Sequence, residues 1–316
     1  MGRYILRRCF LSLFVLLLVS LAVFSIVRLL PGDAIMLQLD EFSVLTPEAR
    51  EEARRELGLD RPFFAQYGTW ISGVIRGDLG DSLISHQPVR EELSKRINLT
   101  LHLAIMSVVV GMIIAIPVGI LSAVRQGTVA DYAGRLFSIL GLSLPDFWIA
   151  VVVITGMTIF FQWFPPRGFD PIWIDPWKNL QQLFIPALII GSRFSAVVMR
   201  MTRSSLLEVL REDYIRTAWS KGLSEKIVIF RHALKNCFIP VITIVGQQFS
   251  ILIGGTVIVE FAFLLPGLGS MTLDAVMLRD YTVIQGTVLF FATVMVLMNL
   301  LVDLTYSWFD PRIRYQ

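Results

Sequence analysis

Leu210–Pro240 reads LREDYIRTAWSKGLSEKIVIFRHALKNCFIP, a polar and basic island about one helical hairpin long between two long apolar runs. From Arg200 through Lys235 the chain carries eight basic residues (Arg200, Arg203, Arg211, Arg216, Lys221, Lys226, Arg231 and Lys235) against four acids. Asp213 is placed to N-cap a short helix, and Gly222 can take the left-handed position that ends one. Between them Ile215, Ala218 and Trp219 recur at helical spacing on one face. Ser224 can then cap a second helix running toward Pro240. A short helix offered beside a membrane, with the small Ala218 at its centre, suits docking into another protein's groove. An amphipathic helix lying on anionic lipid fits the same spacing. Spacing alone leaves both readings open.

The apolar runs on either side set the class. Of 316 residues, 55% are hydrophobic and 17% charged, and the mean hydropathy is +0.67. Soluble domains sit nearer 45–50% apolar and about 25% charged, so the composition indicates a polytopic membrane protein. Cys9 and Cys237 fall in or beside apolar runs and lie far apart. That excludes a disulfide framework or a CxxC metal site and reads as two small buried hydrophobes.

Crossing about 30 Å of hydrocarbon takes roughly 20 apolar residues. Six stretches qualify: Cys9–Leu30, Leu99–Val124, Leu136–Phe164, Phe184–Met201, Ile239–Leu265 and Val283–Phe309. The first follows Arg3, Arg7 and Arg8, yet its apolar run is too long for a signal peptide and no A-x-A-like site follows, so it reads as a retained helix. Orientation follows from the basic residues of the short connections. With the N-terminus inside, fifteen Lys/Arg fall on the inner segments, whereas the two short outer loops hold only Arg167, Lys178 and Arg279. Both termini and the basic island are then cytoplasmic. The intervening segment 31–97, with twelve acids against eight bases, becomes a small extracytoplasmic domain. Within it Thr46-Pro47 and Gly58 bracket a short charged helix, Pro47–Leu57, and Gly77-Asp78-Leu79-Gly80 marks a turn.

Enzymatic chemistry is hard to find. No Lys follows a Gly, so no phosphate-cradling GxxxxGK[ST] loop exists. His86, His102 and His232 are scattered, without HExxH or a nucleophile elbow. Ionisable residues inside spans cost at least about 2.5–3.5 kcal/mol on insertion scales. Asp146, Arg193, Glu260 and Asp303 are therefore candidates to line an aqueous path or to pair with another helix. Asp146 follows Pro145, which frees a carbonyl and bends or breaks its helix. Gly111, Gly119, Gly246, Gly254 and Gly255 permit close helix approach, and Pro117 and Pro186 point to bent helices.

Along nearly its whole length the chain carries an ordered set of short motifs. These are Leu30-Pro31-Gly32-Asp33, Leu57-Gly58-Leu59-Asp60-Arg61-Pro62, Gln66-Tyr67 with Trp70, Gly77-Asp78-Leu79-Gly80 with Ser82, and Pro88-Val89. Ser143 with Pro145 and Phe147-Trp148 follow, then Glu260 with Pro266-Gly267-Leu268-Gly269, and Arg279-Asp280-Tyr281 with Gln285-Gly286. In these the chain resembles the permease subunits of ATP-binding-cassette importers of the dipeptide/oligopeptide/nickel family. The basic island is then similar to that family's EAA-type loop, with Arg216, Thr217 and Ala218 at the E-A-A places and Gly222 at the glycine. Only Ala218 and Gly222 match the letters, and the motif's closing proline falls on Lys235, with Pro240 five residues later.

The resemblance implies an all-α polytopic fold of the type I importer kind. It would have six spans, a cytoplasmic coupling-helix loop and a small extracytoplasmic domain. The corresponding divisions are 1–30, 31–97, a five-helix core 98–309 containing the coupling loop 204–238, and a tail 310–316. Asp213, Arg216, Thr217, Ala218, Lys221 and Gly222 would form the ATPase-coupling loop, and Asp146, Glu260 and Asp280 the translocation path. The implied partners are a second homologous permease, two ATPase subunits that use ATP and magnesium, an extracytoplasmic solute-binding protein and membrane lipid, with no nucleic acid. This chain itself would bind no cofactor and would sit in a bacterial or archaeal cytoplasmic membrane. Peptide import is the commonest use of the architecture; nickel, glutathione and other small solutes share it. A stand-alone carrier or channel is the rival, and the basic island and the sparse intramembrane carboxylates count against it.

Overall fold

Two long helices that approach each other closely at glycines frame the molecule: α3 (Val89–Val124) and α6 (Pro176–Val209). The computed structural model describes residues 2–29, 51, 55 and 60–309. Helix α3 and helix α6 run parallel, since their contacts advance in step: Gly111 meets Gly191 and Phe194, and eight residues on Gly119 meets Met199 and Thr202. A Cβ on Gly191 would stand 2.7 Å from the Ser107 carbonyl oxygen, and one on Gly111 2.9 Å from that of Gly191. Such backbone approach is how helices associate in lipid, where apolar burial offers no drive between them. The hydroxyls along the seam turn back on their own helices: Ser107 donates to Leu103 O at 2.7 Å and Thr202 to Val198 O at 2.8 Å.

The other described elements pack around this pair. They are α1 (Gly2–Leu29), α2 (Phe63–Ile75), α4 (Val129–Ser143), α5 (Asp146–Phe161), α7 (Asp213–Ser220), α8 (Glu225–Ile227), α9 (Leu234–Gly255), α10 (Val257–Ala262), α11 (Leu268–Met277) and α12 (Tyr281–Phe309). Among the described residues there is no β-strand, only an isolated bridge between Asp81 and Pro88. Among the described residues five helices are long and apolar enough to cross a membrane, and six spans result when α4 and α5 count as one broken span. The break is a 99° bend, placed where Pro145 follows the extended Leu144, as the sequence led us to expect. Helix α3 starts ten residues before the expected span because its first turns, VREELSKRIN, are a polar overhang. At about 54 Å it far exceeds the hydrocarbon thickness.

The expected fifth span, Ile239–Leu265, needs correction. Helix α9 starts earlier and runs through Pro240 instead of ending there; it stops at Gly255, and α10 begins again after Thr256. Upstream, Val228–Ala233 form a π-helical turn, a distortion that no side-chain periodicity announces. Asp303, on α12, pairs with Arg8 of α1 at 2.8 Å. Cys237 is buried, but Cys9 is exposed on α1, because most of that helix's apolar surface packs on nothing among the described residues. Helix α2 docks on α1 through Phe24, whose ring lies 5.4–5.6 Å from those of Phe63, Tyr67 and Trp70. At the start of α6, Asp175 Oδ1 accepts from Lys178 N at 3.0 Å and Pro176 occupies the first turn. The preceding loop is pinned by Asp170, whose carboxylate takes Lys178 and Gln182; these bonds hold it below the usual carboxylate range. Of the expected helix Pro47–Leu57 only Glu51 and Arg55 are described, both helical; the Leu30–Asp33 motif and the tail 310–316 lie outside the described residues.

The close contact of α3 with α6 gives a direct test. Gly191→Val forces the two backbones apart and is expected to cost about 1–3 kcal/mol or more, read as a lowered Tm in detergent. Gly254→Ala, where nothing stands within 4 Å of the new Cβ, is expected to leave Tm nearly unchanged.

Candidate functional site

The basic island folds as a short helix fused to the bundle by one side. Helix α7 buries Ile215 and Ala218 in a cluster with Leu206 of α6, Val228 and Ala233 of the π turn, and Cys237 and Val241 of α9. Its other side is open: the side chains of Asp213 and Arg216 are 96% and 74% exposed, and Tyr214, Thr217, Trp219 and Lys221 are exposed beside them. Gly222, at φ +76°, ends the helix, its N–H bonding Trp219 O at 2.9 Å, in the left-handed conformation that favours glycine. Asp213 is not the N-cap; Glu212 occupies that place, and Asp213 instead holds Arg216 at 3.4 Å. Ala218 likewise departs from expectation. It points into the chain's own core, since three residues from Ile215 it shares the inward face. The open face therefore consists of Tyr214, Arg216, Thr217 and Trp219 with Lys221 beyond.

The three carboxylates expected along a path fall in different surroundings. Glu260 of α10 is fully buried and satisfied by four donors: Thr100 Oγ1 at 2.8 Å, Thr256 Oγ1 at 3.0 Å, Gly269 N at 2.7 Å and Ser270 N at 3.2 Å. It caps the N-terminus of α11, where a carboxylate suits the helix dipole, and Gly267 is required because a Cβ there would strike the carboxylate. Asp280 caps α12 through Val283 N at 3.2 Å and fastens the 77–88 loop through Ser82 Oγ at 2.5 Å. It reaches the wall of a cavity of about 430 Å³ beside Glu92, Arg96 and Asp274, but its oxygens already hold protein donors. Asp146, first residue of α5, differs. It lines a second cavity, of about 370 Å³, with Arg193 of α6 and Gln248 of α9, and it meets Arg193 at 3.3 Å. The structure thus brings Asp146 and Arg193 together and leaves Glu260 and Asp280 elsewhere.

One polar centre escaped the sequence reading. Asp131, fully buried, takes Arg203 bidentately (Nε at 2.7 Å, Nη2 at 3.0 Å), together with Ser122 Oγ at 2.6 Å, Gly127 N at 3.0 Å and Arg135 Nη2 at 3.2 Å. It ties α3, α4 and α6 together at the end of the bundle that carries α7. Arg203, counted among the island's surface bases, is in fact an interior cation; the only hint was an acid just past Gly127-Thr128. Removing one partner of such a pair strands the other. Asp131→Ala is expected to cost about 3–5 kcal/mol, measured as loss of thermal stability in detergent, whereas Arg216→Ala on the exposed face is expected to cost under about 1 kcal/mol.

Comparison with known proteins assigns the chain. Residues 115–315 match the family described as binding-protein-dependent transport system inner membrane component, and residues 1–104 match its N-terminal companion. The dipeptide transport system permease protein DppB of Escherichia coli (strain K12) is 38% identical over 339 residues, covering 100% of both chains. The protein of the same name from Alkalihalophilus pseudofirmus is 38% identical over 335 residues, covering 99% of both. A crystal structure of an amino acid ABC transporter with histidines superposes with a TM-score of 0.55 at 13% identity, over 75% of this chain and 97% of that one. That likeness bears on the fold alone, an all-α multi-pass bundle. The chain belongs to the binding-protein-dependent transport system inner membrane component family, and is a transport subunit of the inner membrane.

Proposed function

We propose that this chain forms, with a second and similar permease, the path by which an ATP-driven importer carries di- and oligopeptides delivered by an extracytoplasmic binding protein. The observation that carries the reading is the two-sidedness of α7. One face is fused to α6, the π turn and α9, and the other offers Tyr214, Arg216, Thr217 and Trp219. A helix so anchored passes a push from an ATPase subunit into two spanning helices, and its aromatic and arginine side chains are those that carry binding energy at interfaces. ATP and magnesium belong to the ATPase partners in this reading. The peptide substrate is supported by the relatives named dipeptide transport permeases.

Orientation follows the basic residues. Helix α7, the Asp131–Arg203 centre and both termini face the cytoplasm, and the 31–97 segment, α11 and the start of α12 face outward. Of the path candidates we keep Asp146. Glu260 and Asp280 shape the outer end by capping α11 and α12.

The test uses the whole transporter, purified with its partners and reconstituted in liposomes with labelled peptide. ATP-dependent uptake is expected. Arg216→Glu and Trp219→Ala are expected to reduce it by about tenfold, the scale of an interface hot spot, while the chain still purifies with the second permease. Ala218→Asp is expected instead to lower the yield of folded chain, because its charge enters the chain's own core. Uptake by this chain alone without ATP would overturn the proposal.

A further inference from the structure

The Asp146–Arg193 pair has an unfinished geometry that the buried Asp131–Arg203 pair lacks. Asp131 and Arg203 form a closed, bidentate unit at 2.7 and 3.0 Å with three further donors on the carboxylate. Between Arg193 Nη1 and Asp146 Oδ2 there is one bond, at 3.3 Å. Asp146 Oδ1 is buried with no partner among the described residues. A guanidinium carries five N–H donors; Arg193 uses one, and its side chain is 52% exposed.

Its position adds to this. Arg193 lies midway along α6, about 25 Å from either end, and Asp146 opens the second half of the span broken by 99°. Broken backbone at membrane depth persists only inside protein or against a water-filled cavity, and the cavity here, of about 370 Å³, is of ligand size. Apart from Asp146, Arg193 and Gln248 its walls are mainly apolar, among them Leu142, Phe147 and Ile251.

We infer that this cavity is a station for short peptides in which Arg193, with Gln248 beside it, receives the terminal carboxylate. The inference rests on the peptide-importer reading above. A planar guanidinium matches a carboxylate through two parallel bonds, and a free C-terminus is the anion that peptides share whatever their sequence. The apolar walls then tolerate varied side chains. Asp146 is a positioning residue: it orients the guanidinium and neutralises it while the station is empty. An unpaired arginine there would be costly, and a fully free one would hold a passing anion too tightly to release it.

The complete transporter, with partner permease, ATPases and binding protein in liposomes, is given labelled trialanine or trialanine amide at concentrations that saturate the binding protein. The acid-to-amide ratio of uptake rates is compared between variants, so that the binding protein's own preference and any loss of folded transporter cancel. Wild type is expected to favour the acid. In Arg193→Ala the ratio is expected to fall by about tenfold or more, the worth of one charge-assisted contact, and Arg193→Lys is expected to retain part of it. The pair Asp146→Asn with Arg193→Gln, which strands no charge, is expected to lose the preference as well, and it carries the test if Arg193→Ala does not fold. ATP-driven uptake with an unchanged ratio in Arg193→Ala and in the neutral pair overturns the station while leaving the importer reading intact. Absence of ATP-driven uptake of either peptide by wild type overturns both.

Discussion

The contact of α3 with α6 is the constraint on which the rest of the bundle depends. In lipid two apolar helices gain nothing by hiding from solvent, so their association rests on packing that the hydrocarbon tails cannot match. Gly111, Gly119 and Gly191 remove the side chains from the seam, and the two backbones meet. Each other element then takes a position relative to this pair. Helix α4 runs back along α6, with Ser138 Oγ donating to Ala196 O at 2.9 Å, and α9 packs beside it through Cys237 and Val241.

Around that frame, side chains of one chemical type take different roles, each decided by pairing. Glu260 and Asp280 are helix caps whose donors come from distant segments, Thr100 and Ser82. Asp131 is a closed ion pair linking three helices. Asp146 meets an arginine through a single bond at a cavity wall, whereas Asp280, at the wall of another cavity, already has protein donors on its oxygens. A membrane interior raises the cost of every unpaired charge, so how fully each group is satisfied separates fastening from function.

Much of this was legible in the sequence because it is local. Run lengths gave the spans, Pro145 marked the break, and Gly222 marked the end of α7, each by a rule acting over a few residues. The motif residues also converge in space: Gly286 packs on Val89 and Leu79, and Gly267 and Gly269 on Glu260. What could not be read depends on partners far along the chain. Nothing near Asp131 names Arg203, 72 residues away, and nothing near Gly191 names Ser107. The face shared by Ile215 and Ala218 reads as a docking face in the sequence because periodicity finds a face but not which side packs inward. The π turn, VIFRHA, holds no Gly or Pro to announce it, whereas the restart at Thr256 does follow a signature, the Gly254-Gly255 pair, which reads equally as a close-packing signal.

Helix α6 is unbroken for 34 residues, and it holds Arg193 at its middle and Leu206 against α7 near its end. Asp146 hangs from the far side of a bend, on a separate helix. In the coupling role proposed above, a displacement entering through α7 would reach Arg193 along a stiff rod, while its counter-ion would have no need to follow. The 3.3 Å contact between them thus joins two separately carried groups, so in the importer proposed above its width would register where the rod stands.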